Sequence, residues 1–161
     1  MKIRAAREED YGSIWGILEP VMRRGDTYTL PRVLNKEDAL AYWLAPGKET
    51  FVCEEHGAVL GTYFLRRNQE GGGGHVANCG YVTSATAQGR GVGRAMCAHS
   101  LERARVRGFR AVQFNFVVST NERAVKLWRE LGFEIVGRLP EAFAHPERGF
   151  VDALVMYKRL D

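Results

Sequence analysis

QGRGVGRA, residues 88–95, lies between an apolar β-type run and a segment of helical character. Its three glycines let the backbone come close to a ligand, and its two arginines bring positive charge. A strand, a glycine loop and a helix start, in that order, make a cradle for anions. Successive N–H groups of residues 89–94 can point at one pyrophosphate, and the positive end of the following helix adds to the attraction. A nucleoside triphosphate, a dinucleotide and coenzyme A all carry such a group. The first two fingerprints fail. A P-loop needs GxxxxGK[ST], but Gly93 is followed by Arg94 and no Gly-Lys-Ser/Thr run occurs here. A dinucleotide loop GxGxxG needs a small residue where Arg94 stands (counting from Gly89) or Met96 stands (counting from Gly91).

The rest of the chain narrows the class. Its 161 residues suit one domain, 1–161, with a sizeable core. Hydrophobic content of 45% and charged content of 26% are those of a soluble globular protein. No apolar run is long enough to span a bilayer, and MKIRAAREED holds no apolar leader, so we expect a cytoplasmic protein with no membrane partner. Cys53, Cys79 and Cys97 are scattered and odd in number, which reads as reduced thiols and no metal site. The net charge is +4, and residues 86–110 alone carry six arginines against Glu102. That concentration suits one compact polyanion better than a nucleic acid, with Arg103, Arg105 and Arg107 on a solvated helix face.

Patterning predicts a strand over Lys2–Arg7 and a helix over Glu9–Arg24, whose Ile14, Ile17, Leu18, Val21 and Met22 recur at helical spacing. A second helix, Lys36–Ala45, is capped by Asn35. Thr50–Glu55 and Ala58–Arg66 form a hairpin around His56-Gly57. Val76–Ser84 is a strand whose Gly80 marks a bulge. Then follow a helix over Val92–Arg107, a strand over Ala111–Val118 and a helix over Asn121–Leu131. Strands Phe133–Leu139 and Phe150–Lys158 come last, joined by a loop at 140–149. Strands neighbour one another both directly and across helices, so the class is α/β with a mixed (α+β) sheet rather than a doubly wound one.

Gln88-x-x-Gly91-x-Gly93 resembles the (Q/R)xxGx(G/A) motif of the GCN5-related N-acetyltransferases, and Tyr81-Val82-Thr83 precedes it at that family's spacing. Asn121-x-x-Ala124-x-x-Leu127-Trp128-x-x-Leu131-Gly132-Phe133 resembles the second signature, NxxAxxLYxxxGF, with one aromatic changed. The resemblance implies a splayed, mostly antiparallel sheet of about seven strands with helices on both faces, and acetyl-CoA inserted between strands four and five. It also implies direct transfer of acetyl from the thioester to an amine. A narrower resemblance, through Asn78, Phe114-Asn115-Phe116 and Gly149-Phe150-Val151-Asp152-Ala153, is to the fungal proline-analogue (azetidine-2-carboxylate) N-acetyltransferases. It implies a small amine or amino-acid analogue as substrate, with Asn78 and Asn115 in contact with it. A protein or peptide acetyltransferase and an acyl-CoA sensor are the rival readings.

In this frame the cofactor is held by Val82 and Thr83, by the loop Gln88, Gly89, Arg90, Gly91, Val92, Gly93 and Arg94, and by Asn121, whose position at a helix start also suits a cap. Asn115 and the region of Tyr81 are the catalytic candidates, meeting the oxyanion with neutral donors. Tyr28 joins Asn78 and Asn115 on the substrate side, with residues 26–30 and the 140–150 loop. His75, Glu54, Asp26 and Asp152 are candidates for the base, and transfer through ordered water is a further route. Trp128 stands where many relatives have a tyrosine acid, and an indole N–H donates without acting as an acid. Cys79 reads as a small buried hydrophobe. A homodimer is expected from the way late strands meet in such folds.

Overall fold

All seven strands expected from the patterning join one sheet. The computed structural model describes all residues, Met1–Asp161. In chain order the elements are β1 (Lys2–Ala5), α1 (Tyr11–Arg24), α2 (Lys36–Trp43), β2 (Lys48–Glu55), β3 (Ala58–Arg67), β4 (Val76–Thr83), α3 (Val92–Val106), β5 (Ala111–Val118), α4 (Glu122–Glu130), β6 (Glu134–His145) and β7 (Gly149–Arg159). The seven strands are ordered β1-β2-β3-β4-β5-β7-β6. All neighbours are antiparallel except β4 and β5, which run parallel. The expected mixed sheet with helices on both faces is therefore what forms. No helix is long and apolar enough to cross a membrane.

Two apolar layers form because strand side chains alternate between faces. Tyr63, Leu65, Ala77, Cys79, Val112 and Phe114 face α3 and α4, where Val92, Met96, Cys97 and Trp128 meet them. Val52, Phe64 and Val82 face α1 and α2, where Ile14, Leu18, Met22 and Trp43 meet them. Asn35 caps α2 as its position suggested, its side chain accepting the Asp38 N–H at 2.8 Å.

Three expectations are corrected. The segment 140–149 is not a loop: β6 runs on to His145, and only Pro146–Arg148 turn. Pro140 has no N–H for the ladder, and Glu141 takes a φ of 49°, so the register slips between Leu139 and Phe143. Asp152 of β7 closes this bulge by accepting the Glu141 N–H at 2.9 Å, and pairing resumes. The first helix begins as a short 3-10 turn, Glu8–Asp10, before α1. Gly80 makes no bulge, because β3 and β4 stay in one register from Gly61↔Thr83 to Arg67↔Ala77.

At the start of the chain Arg4 joins β1, the 3-10 turn and β2. Its guanidinium grips Asp10 at 2.7 and 2.9 Å and Glu54 at 3.0 and 2.9 Å. The bonds from Arg4 hold the Asp10 carboxyl below its ordinary value of 3.8. A carboxylate whose folded pKa is depressed stabilises the fold above its ordinary pKa, and that contribution is lost as pH falls through the folded value. Asp10→Asn is expected to lower stability at neutral pH by about 2 kcal/mol. The deficit should shrink below pH 4 as wild type loses the same charge, and urea melts at pH 7 and pH 3 check this.

Candidate functional site

β4 and β5 are paired only at Val76↔Ala111 and Ala77↔Val112. Beyond that point the strands part. At the vertex a side chain replaces the ladder: Asn78 Nδ2 donates to the Gln113 carbonyl at 2.9 Å. The opening is then walled by main chain that has no strand partner, and the register shows which residues supply it. Ser84 N–H bonds Leu60 C=O and Asn68 N–H bonds Val76 C=O, so the even-numbered residues of β4 spend their backbone on β3. Arg110 N–H bonds His75 C=O, so the odd-numbered residues face β5. Tyr81 and Thr83 therefore turn their N–H and C=O groups into the gap. Val82 does not: its backbone goes to Thr62 and its side chain to the α1–α2 core. Of the two residues expected to bind a ligand strand, Thr83 lines the gap and Val82 is replaced by Tyr81.

On the opposite wall the β5–β7 register slips between Phe114 and Val117, leaving Asn115 and Phe116 out of the ladder. The simple alternation expected for Phe114, Asn115 and Phe116 fails at this bulge. Phe114 packs on Phe133 (4.2 Å between centroids), whereas Phe116 turns to Phe143 of β6. Asn115 is half-buried, accepts from Gln113 Nε2 at 2.9 Å and donates to Asn68 Oδ1 at 2.7 Å.

Aromatic rings hold the gap open on both faces. Trp128 of α4 touches Tyr81 and Phe114 at 5.0 and 5.1 Å, bridging β4 and β5 from the α3–α4 side. The Tyr81 hydroxyl lies on that face, 2.7 Å from Ser100 Oγ. Since Ser100 gives its own proton to the Cys97 carbonyl, Tyr81 is the donor of the pair. From the other side, Tyr28 Oη donates to the Tyr81 carbonyl at 3.0 Å, which puts the Tyr28 phenol at the mouth of the gap. Burial pushes both phenols above their usual range and pushes the Cys79 thiol up to about 12, so none of the three is ionised at neutral pH.

At the far end of β4 the glycine loop meets α3. Gly89 and Gly91 adopt φ values of 78° and 79°. The first bond of α3 runs from Ala95 N–H to Gly91 C=O, so the amides of Val92, Gly93 and Arg94 precede the ladder and point out of the helix end. Val92 anchors the turn with a buried side chain, and Gln88 lies exposed beside Thr83 and α1. Arg90 and Arg94 flank the loop in exposed ion pairs with Glu55 and Glu130. Asn121 stands at the start of α4, but its side chain makes no capping bond. The later arginines are spent elsewhere: Arg103 and Arg107 both pair with Glu49, and Arg105 lies 3.6 Å from Glu102.

The candidate bases are also sorted. Glu54 is tied to Arg4, and Asp152 to Arg138 and the Glu141 N–H. His75 is exposed before β4. Asp26 sits two residues from Tyr28; its buried Oδ1 makes no hydrogen bond and lies 3.6 Å from Arg24 Nε. Sequence reading missed Arg66, whose Nε donates to Asn78 Oδ1 at 3.3 Å. Its signal was position alone, on the same face as Phe64, two residues along β3.

The Acetyltransferase (GNAT) family profile matches residues 9–133. This chain belongs to that family. It is 30% identical over 112 residues to N-acetyltransferase aca1 of Schizosaccharomyces pombe, a match covering 69% of this chain and 54% of that protein, so the chain spans about half the length of that relative. A GCN5-related N-acetyltransferase from Kribbella flavida superposes with a TM-score of 0.94 at 40% identity, over 99% of this chain and 97% of the other. A putative acetyltransferase from Salmonella typhimurium, solved with its cofactor acetyl-CoA, has the same fold at 24% identity and a TM-score of 0.88, over 100% and 94% of the two chains.

Gly80 explains how β4 carries the gap without a bulge. A Cβ there would stand 2.7 Å from Phe64 Cε1 and 3.1 Å from the Tyr28 hydroxyl. Phe64 is buried edge-on against Trp43 at 4.8 Å and has nowhere to go. Gly80→Ala is expected to cost about 1–3 kcal/mol and to loosen Tyr28 from β4. Thermal melts and a rise in Tyr28 side-chain mobility by NMR check it.

Proposed function

We propose that the protein is an acetyl-CoA-dependent N-acetyltransferase acting on a small amine. The observation that carries this is the parted β4–β5 pair, with unpaired backbone along its walls and an anion cradle at its end. A pantetheine arm fits such a gap as an added strand, bonded to Tyr81 and Thr83, while the free amides of Val92, Gly93 and Arg94 hold the pyrophosphate, the Arg90 N–H being spent on the Ala87 carbonyl. The free Asn121 side chain reaches the arm from α4. Arg90 and Arg94 then trade exposed glutamates for phosphate at little cost, since such surface pairs contribute about 0–1 kcal/mol.

The reaction follows from these positions. The amine nitrogen attacks the thioester carbon, a C–N bond forms and the C–S bond breaks. The Tyr81 N–H faces the place where negative charge gathers on the carbonyl oxygen, and the second Nδ2 hydrogen of Asn115 is free to serve from the other wall. The ammonium proton leaves toward Asp26 through ordered water, a role supported by its buried Oδ1, which makes no hydrogen bond and has Arg24 Nε 3.6 Å away. Trp128 donates a hydrogen bond to the departing sulfur, and the thiolate takes its proton from solvent. Amide-rich walls with few acids favour a small amino-acid-like amine over a polycation, in keeping with the narrower resemblance at Asn78 and Asn115.

The test is CoA release from acetyl-CoA with a panel of small amines. Turnover of at least one is expected, and Asn115→Ala should lower kcat about 10²-fold while acetyl-CoA binding stays unchanged. Asp26→Asn should lower kcat about 10²-fold while the protein stays folded. Binding of acetyl-CoA without turnover of any small amine, but with turnover of a peptide, would move the protein to the peptide-modifying class. Binding with no turnover at all would make it an acyl-CoA sensor.

A further inference from the structure

Two cations stand on the substrate side of the sheet with no acid between them. Lys48 of β2 and Arg66 of β3 are direct partners in the register, and both point toward the α1–α2 face. The Lys48 ammonium lies 3.5 Å from the centre of the Tyr42 ring and 4.1 Å from that of Phe64, and it donates to the Tyr42 carbonyl. Neither cation enters any ion pair, in a protein whose other arginines commonly do. Burial and the neighbouring charge of Arg66 bring Lys48 down to about 8, which fits a place where positive charge is crowded and uncompensated.

The guanidinium is also aimed. Arg66 spends only Nε, on Asn78 Oδ1. Asn78 is itself fixed by its bond to the Gln113 carbonyl at the vertex of the gap. The two terminal nitrogens of Arg66 are left as an unoccupied planar fork, the geometry that matches a carboxylate with two parallel bonds. Beyond Asn78 the same corner of the sheet carries the neutral amides Asn68, Gln113 and Asn115, joined in one chain of hydrogen bonds. A bare amine or a polyamine would meet repulsion here. A molecule with an anion beside its amine would have the anion neutralised, while its amine faces the gap.

We propose that Arg66, with Lys48 beside it, holds the carboxylate of the substrate, so that the amines acetylated are free amino or imino acids and their anionic analogues. This deepens the acetyl-transfer reading above and rests on it. Asn78 acts through Arg66 as a positioning residue.

The experiment uses matched amines that differ in that one charge: azetidine-2-carboxylate and methionine sulfoximine, each beside its carboxamide, with rates compared per free-amine fraction. Wild type should favour the acid of each pair by about 10²-fold in kcat/KM, because the carboxamide leaves the charged fork unpaired. Arg66→Gln should raise KM for the acids about 10²-fold with little change in kcat, narrowing each pair to within about threefold, and Arg66→Lys should recover part of the preference. Equal use of acid and carboxamide by wild type, or a preference that survives in folded Arg66→Gln, overturns the proposal. If no amine releases CoA, the catalytic reading fails separately, and titration of tryptophan fluorescence with the same acids decides the anion site. Saturable binding that Arg66→Gln loses upholds it, and binding that is absent or equal in the two proteins overturns it.

Discussion

The parting of β4 from β5 after two paired residues is the constraint on which the rest of the molecule turns. Parallel strands that begin side by side would ordinarily continue, since each unmade backbone bond is costly when water is excluded. Here the side chain of Asn78 closes the ladder at Gln113, and beyond it the backbone of Tyr81, Thr83, Asn115 and Phe116 is left to the gap. Rings wedge the opening from both faces: Tyr81, Phe114 and Trp128 on one, Tyr28 and Phe64 on the other. The unsatisfied backbone is then a binding surface that presents donors and acceptors in the spacing of a strand.

The gap has a chemical polarity along its length. At the α3 end, free helix amides and two loosely paired arginines suit phosphates. At the vertex, neutral amides and the cations Lys48 and Arg66 line the α1–α2 face. Between the two ends the titratable side chains are held neutral. Tyr28, Tyr81 and Cys79 are pushed up by burial, and the Tyr28 and Tyr81 hydroxyls donate hydrogen bonds to fixed acceptors. A site of this kind stabilises charge through oriented dipoles rather than through ionised side chains. The exchange of tyrosine for Trp128 is consistent with that design, since the indole fills the wedge and offers a donor without offering an acid.

Much of this was legible in residue patterns. Asn35 capped its helix because an Asx side chain before a helical run finds the third amide on. The strand Ala111–Val118 matched its apolar run residue for residue. In the glycine loop expected to let backbone approach a ligand, Gly89 and Gly91 take left-handed φ values of 78° and 79°. The failures share a cause. The segment 140–149 looked like a loop because Pro140 and a polar stretch break the alternation, yet Asp152 on the neighbouring strand repairs the break. Asn121 reads as a cofactor contact whose position also suits a cap, and of the two its side chain makes no capping bond. Gly80 looked like a bulge, and it is a clearance for a ring that lies far away in the chain. The readings used local neighbours, and at 140–149 and at Gly80 the outcome was decided by a distant one.

By itself the sequence determined the mixed fold, the anion cradle before α3 and the family to which the chain belongs, because helical period, strand alternation and loop glycines are local properties of the chain. Only the tertiary structure decided that Tyr81 rather than Val82 faces the gap, since that depends on whether even or odd residues of β4 spend their bonds on β3. It also decided that Arg66 and Lys48 stand together without an acid. Strand pairing sets both, and pairing joins residues whose separation along the chain carries no mark of their meeting.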